Sequence, residues 1–230
     1  MADPHVASLH RYPVKSMVGE ELTRLDIDQR SSVGDRLWSV RTSDGKIGSG
    51  KNSRRFAAVP KLLELRAEAR DGTVVITFPD GSSCTTGSAD ATARLSEYLG
   101  QSVSLAMVRE VSHFDDGPLS LIGTASVLAL AHGRKEPLDC ARFRANVVLE
   151  TSEPFVEDSW VGHRLEIGTA ALSVTMTSPR CVMIDMKTAD LPAQPGNLKT
   201  LGRVNGANLG VIAQVVAPGT INVGDVVRIH

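Results

Sequence analysis

Four short stretches hold side chains able to bind or transform an anion. In RYPVKSMVGEE, Lys15 and Ser16 put a cation and a hydroxyl at the end of an apolar run. A Lys-Ser pair also ends the phosphate-cradling P-loop, but that loop needs glycines ahead of the lysine so that backbone N–H groups can wrap the phosphates. Here LHRYPV precedes Lys15, and Pro13 lacks an N–H altogether, so nucleotide cradling of that kind is ruled out. In CARFRANVVLE, Arg142, Arg144 and Asn146 are spaced by two. On a strand they would share one face. Two guanidiniums there suit a phosphate or carboxylate, and the amide can both donate and accept. In TSPRCVMI, Cys181 follows Arg180. A guanidinium beside a thiol favours the thiolate, which is a nucleophile and a soft metal ligand. In GDRLW, Arg36 stands behind a Gly-Asp turn, and GKNSRRF adds Lys51, Arg54 and Arg55; either stretch could add a basic contact, and on these residues alone both read more readily as surface. FVEDSW adds an acid pair, Glu157 and Asp158, in what reads as a solvated loop.

The elements that must position these groups are mostly strands. VASLHRYP, LTRLDID, RLWSVRT, LLELRAEAR and TVVITFPD are short Val/Ile/Leu/Thr runs broken by Gly, Pro and Asp-Gly. Asp71-Gly72 predicts a hairpin turn. SADATARLSEYLG predicts a helix started by Ser88 and stopped by Gly100. Further on, LSLIG, NVVLE, RLEIG, ALSVTMT, LGVIAQVVA and VVRI predict strands, and TASVLALAHGR a short helix capped by Thr124. Residues 188–208 are rich in Gly, Pro and Asn, long for a connector, and read as a functional loop. Many short strands with few helices point to a mainly β protein of the barrel or sandwich kind.

The bulk properties narrow the function classes. The chain has 230 residues, 22% charged, with a formal net charge of −1, which gives no reason to expect nucleic acid or an anionic membrane as partner. No apolar run approaches the ~20 residues of a transmembrane helix, and the N-terminus lacks the features of a secretory signal or transit segment. Three scattered cysteines, Cys84, Cys140 and Cys181, fit a reducing compartment better than a disulfide framework, so a cytoplasmic location is expected. The scattered histidines offer no zinc-finger spacing.

Six segments, YPVKS, GDRLW, RFRANVV, FVEDSWVG, SPRCVMID and APGTINVGDVV, occur in the order seen in MOSC-domain proteins. The chain resembles the branch that holds the amidoxime-reducing component and its bacterial relatives, over residues ~8–229. The resemblance implies an N-terminal β-domain, residues 1–110, packed on a MOSC β-barrel, residues 111–230. It implies a molybdenum cofactor, molybdopterin with molybdenum, held between them. Cys181 matches the thiolate ligand of the metal. Lys15, Ser16 and Arg36 match positions that hold the pterin and its phosphate, and Arg144 and Asn146 match the Arg and Asn two apart. Gly123, Thr124 and Ser126 fall at a helix start where the family contacts the cofactor, and a helix N-terminus suits a phosphate. Asp158 lies in the loop beside the metal region. Pyridoxal phosphate binding is a further family-level expectation.

The implied activity is reduction of N-hydroxylated small molecules: amidoximes, hydroxylamines or N-hydroxylated bases. Electrons must come from a separate flavin or haem protein, since no segment resembles a flavin, haem or iron–sulfur site. The chain is shorter than the amidoxime-reducing proteins and is expected to lack their membrane anchor and an appended ferredoxin domain. Its GSGKNSRRF replaces their T-A-R strand end. A second reading, a cofactor or sulfur carrier with Cys181 as persulfide, uses the same residues. A third is a cofactor-free interaction module.

Overall fold

A computed structural model describes residues 3–108, 112–132 and 136–230. The boundary expected at 110/111 and the last two residues of TASVLALAHGR fall outside these residues. The strands are β1 (His5–Arg11), β2 (Glu20–Leu22), β3 (Arg24–Ile27), β4 (Trp38–Thr42), β5 (Ile47–Ser49), β6 (Phe56–Ala58), β7 (Arg66–Arg70), β8 (Thr73–Thr77), β9 (Ser83–Thr85) and β10 (Val103–Met107). After helix α1 (Ala91–Leu99) and β10 come β11 (Leu119–Gly123), α2 (Thr124–Ala131), β12 (Val147–Glu150), β13 (Arg164–Ile167) and β14 (Ala170–Pro179). Helix α3 (Asn197–Asn205), β15 (Asn208–Ala217), β16 (Gly219–Asn222) and β17 (Val227–Ile229) complete the chain. The fold is mainly β with short helices, as the strand pattern predicts.

Eight strands form one sheet in the order β17-β13-β14-β15-β11-β12-β1-β2. It curls until its ends meet: the Val6 N–H donates to Asp225 O at 2.9 Å and the Val227 N–H to Pro4 O at 2.8 Å. Leu9, Leu121, Leu149, Leu165, Leu172 and Val211 fill its interior. Full burial of each such side chain contributes about 1.5–3 kcal/mol. Residues 3–108 otherwise build a sheet β10-β4-β5-β6 and a meander β7-β8-β9 around Val40, Leu62, Ile76 and Leu95. Helices α2 and α3 cover the outer face of the curled sheet through Val127, Leu130 and Leu201.

Local signals decide much of this. Asp71 and Gly72 both take positive φ, 49° and 77°, and turn β7 into β8. Gly100 ends α1 in the left-handed region at φ 70°. Four expectations need correction. LLELRAEAR is not one strand: Pro60 starts a 3-10 turn over Pro60–Glu64, and the strand begins only at Arg66. Residues 188–208 are not all loop, because Asn197–Asn205 are helical and bury Leu201. Helix α1 starts behind Asp90, and Ser88 instead donates to Thr85 O at 2.9 Å. Thr124 is the first residue of α2, and Gly123 holds the cap position without a side-chain bond.

Candidate functional site

One cavity opens where the β4–β6 sheet meets the curled sheet. Its wall includes Lys15, Ser16, Arg36, Arg142, Arg144, Asn146 and Cys181, seven of the residues singled out in the sequence, drawn from four distant segments. Its volume is about 100 Å³. That is room for several waters but well below the ~300–1,000 Å³ of ordinary ligand pockets.

The backbone aims these side chains by unusual means. Among the described residues, six non-glycine positions have positive φ, and three are on this wall: Ser16 at 70°, Arg36 at 47° and Arg144 at 54°. Each costs on the order of 1–2 kcal/mol, a strain that persists where surroundings impose it and that gathers at functional sites. The strand expected for Arg142, Arg144 and Asn146 is not there. Cys140–Phe143 form a 3-10 turn capped by Asp139, Arg144 is left-handed, and β12 begins only at Val147. The three side chains therefore reach the cavity from a turn rather than as one strand face. The cause is non-local: the Asn146 amide oxygen accepts from Ser120 N at 3.2 Å and from Ser120 Oγ at 3.2 Å, while its Nδ2 donates to His10 O at 3.3 Å.

The cations differ in what they already hold. Arg142 donates to Met186 O at 3.0 Å and Pro192 O at 2.8 Å, fixing the turn that follows Cys181. Arg180 donates to Leu209 O at 2.8 Å and Phe143 O at 2.8 Å. Gly210 lies beside it at φ +80°, where an added Cβ would come within 2.3 Å of Leu121 O. Arg36 is ion-paired to the fully buried Asp35 and donates to Arg144 O at 3.1 Å. Burial disfavours its charge, but Asp35 outweighs this and the pKa rises. Arg144 stands 4.4 Å from the Tyr12 ring centroid, and one of its buried guanidinium nitrogens has no hydrogen-bond partner. Burial, and then Arg36, lower its pKa to about 10.

Lys15, 3% exposed, pairs with Asp115 and sits 5.0 Å from the Phe56 ring centroid. Burial lowers it to about 8 against the upward pull of Asp115. Lys51 meets the other oxygen of Asp115 at 2.9 Å. Burial pushes Asp115 up, but the two ammoniums outweigh it and hold its carboxyl below the usual range. The lining carries six cations, Lys15, Arg36, Lys51, Arg142, Arg144 and Arg180. Against them stand Asp115, Asp116 and the Asp35 behind Arg36, an excess of three positive charges. Cys181, a half-buried free thiol, is on the same wall. The Ser16 hydroxyl donates to Gly48 O at 3.2 Å.

Gly123, Thr124, Ser126 and Asp158 are elsewhere. At the start of α2, Glu157 accepts from the Gly123 N–H at 3.0 Å and from the Ser126 hydroxyl at 2.8 Å. Thr124 Oγ1 accepts from Thr151 N at 3.2 Å. The helix N-terminus is thus filled by the protein's own carboxylate. Glu157, expected to be solvated, is fully buried. Asp158 accepts from Asn205 at 2.7 Å, tying its turn to α3. Sequence reasoning missed Asp115 and read Lys51 as surface. The one cue was the FDDGP turn immediately before the strand LSLIG.

The comparisons agree with this architecture. The MOSC domain matches residues 108–228 and the MOSC N-terminal beta barrel domain residues 3–114. The chain belongs to the MOSC family, in its two-part form. It is 32% identical over 222 residues to mitochondrial amidoxime reducing component 2 of Rattus norvegicus, covering 77% of this chain and 65% of that protein. It is 26% identical over 245 residues to molybdenum cofactor sulfurase of Danio rerio, covering 83% of this chain and 29% of the sulfurase. The chain thus spans about three tenths of the sulfurase and just under two thirds of the amidoxime reducing component. In fold it is similar to the YUAD protein of Bacillus subtilis, at a TM-score of 0.55 and 16% identity over 100% of this chain and 96% of that one. Among the described residues, no helix is long and apolar enough to cross a membrane.

Proposed function

We propose that this chain binds the molybdenum cofactor in the cavity above and reduces N-hydroxylated compounds such as amidoximes, hydroxylamines or N-hydroxylated bases. The observation that carries the reading is a thiol, Cys181, on the wall of a cavity with surplus buried and half-buried cations, one of them holding a nitrogen without a partner. An anion with several oxygens fits that wall, and a soft metal fits the thiolate. The kinship with an amidoxime reducing component and with cofactor sulfurases supports the same choice.

In this reading Cys181 ligates the metal. Lys15, Lys51 and Arg144 meet the phosphate, while Arg36 is held rigid by Asp35. Ser16 and Asn146 brace the backbone around them, and Arg142 and Arg180 fix the turns on either side of Cys181. Gly123, Thr124, Ser126 and Asp158 support the fold behind the site and do not touch the ligand. When bound, the cofactor would supply two-electron redox chemistry. The protein's part is to bind, orient and shield. The electrons come from a separate flavin or haem protein.

The test is to purify the chain from a host that makes molybdopterin and measure molybdenum. The expected result is metal in the wild type and its loss in Cys181→Ala. Absence from the wild type, or full retention by the variant, overturns the ligand assignment. A yellow, borohydride-reducible chromophore in place of molybdenum would assign the cavity to pyridoxal phosphate instead. Turnover of benzamidoxime with an artificial reductant is expected. A second reading, a cofactor or sulfur carrier using a Cys181 persulfide, is favoured by the partial exposure of that thiol and the sulfurase kinship. Metal without turnover of any N-hydroxylated substrate would select it.

A further inference from the structure

Asp115 is out of place in a cavity built for anions. Its carboxylate binds both Lys15 and Lys51, and among the described residues it is the one carboxylate in ion-pair contact with either, with Asp116 farther off on the same wall. Both ammoniums also face the Phe56 ring, at 5.0 and 5.1 Å from its centroid, an attraction that does not depend on the carboxylate. The backbone that carries Asp115 is pinned. The buried His113 ring is within hydrogen-bond distance of Ser39 Oγ and of Arg36 O, 3.1 Å each. Arg55 donates to Ser112 O at 2.7 Å and to Phe114 O at 3.3 Å, and Arg30 stacks 4.6 Å from the Phe114 ring centroid. The Asp115 side chain itself is 36% exposed, so it can rotate into solvent while its backbone stays fixed. Lys15, buried and ringed by protein, cannot follow it.

We propose that Asp115 is a displaceable counter-ion that makes this cavity selective for multiply charged oxyanions, of the phosphomonoester or diphosphate class. A singly charged carboxylate that replaced Asp115 would gain no charge. It would also have to outcompete a group tethered at high effective concentration. A dianion gains the second charge, and its additional oxygens can serve the unpartnered nitrogen of Arg144. Binding is thus an exchange: the incoming anion takes over Lys15 and Lys51 as the Asp115 carboxylate turns outward. The inference rests on the anion-binding reading of the cavity and requires no metal.

The test uses the full chain made in a host without molybdopterin, titrated calorimetrically at pH 6.5 with inorganic pyrophosphate and, separately, with formate. The wild type is expected to bind pyrophosphate and show no formate binding. Asp115→Asn is expected to bind pyrophosphate about tenfold tighter, the effect of about 1.4 kcal/mol, and to acquire formate binding. Asp115→Ser, which cannot mimic the carboxylate's shape, is expected to behave likewise and stands in should the amide variant fold poorly. Equal or weaker pyrophosphate binding in both variants, with formate still rejected, overturns the displacement while leaving the anion cavity intact. Pyrophosphate bound by none of the three proteins overturns both this inference and the phosphate clamp beneath it.

Discussion

Two places in the molecule could hold an anion, and the protein treats them oppositely. At the start of α2, Glu157 already accepts from Gly123 and Ser126, and the interior there is closed. Around Lys15 and Arg144 the cations outnumber the carboxylates, one guanidinium nitrogen is unpartnered, and three residues hold left-handed backbone. The first arrangement stabilises the fold. The second costs stability, and the proposed ligand would supply the partners it lacks. A site is marked less by the residue types present than by what they have been left without.

Mutations should separate the two regions. Glu157→Ala leaves buried donors unmet and is expected to cost about 3 kcal/mol or more in a urea unfolding titration, with anion affinity unchanged in the folded fraction. His113 gives a pH effect of similar size. Burial lowers it from 6.5 to about 4, so it folds neutral. The unfolded chain binds the proton between those values, so its stability contribution is complete above pH 6.5 and declines as pH falls towards 4. The loss is roughly 3 kcal/mol, and His113→Gln should flatten that limb.

Arg144→Met is expected to reverse the pattern of Glu157→Ala. Pyrophosphate affinity should fall at least about tenfold, while the unfolding midpoint holds or rises, because a guanidinium with an unpartnered buried nitrogen has gone. Anion affinity in the wild type should also weaken as pH rises through about 8, where Lys15 loses its proton. The smallest effect is expected from Tyr12→Phe. It removes a 3.3 Å bond to Ala145 O but keeps the ring against Arg36 and Arg144, and should cost no more than about 1 kcal/mol.

Much of the cavity wall was legible in the sequence, for a definite reason. Lys15, Arg36, Arg144 and Cys181 belong to short motifs whose order carries the family, and the structure brings all four to one cavity. The strands were legible because alternation and turn residues are local signals. What escaped depends on distant partners. The turn conformation of Arg142–Asn146 follows from bonds to Ser120 and His10. Glu157 is buried because α2 presents donors above it, and nothing in FVEDSW says so. Asp115 acquires its meaning from Lys15, a hundred residues earlier.

The most direct measurement of the central claim is molybdenum per chain in three proteins from a cofactor-producing host. Wild type and Glu157→Gln should carry comparable metal, and Arg144→Met should carry little. Equal metal in all three would contradict the cavity assignment, and loss in Glu157→Gln with retention in Arg144→Met would place the ligand at the helix start instead.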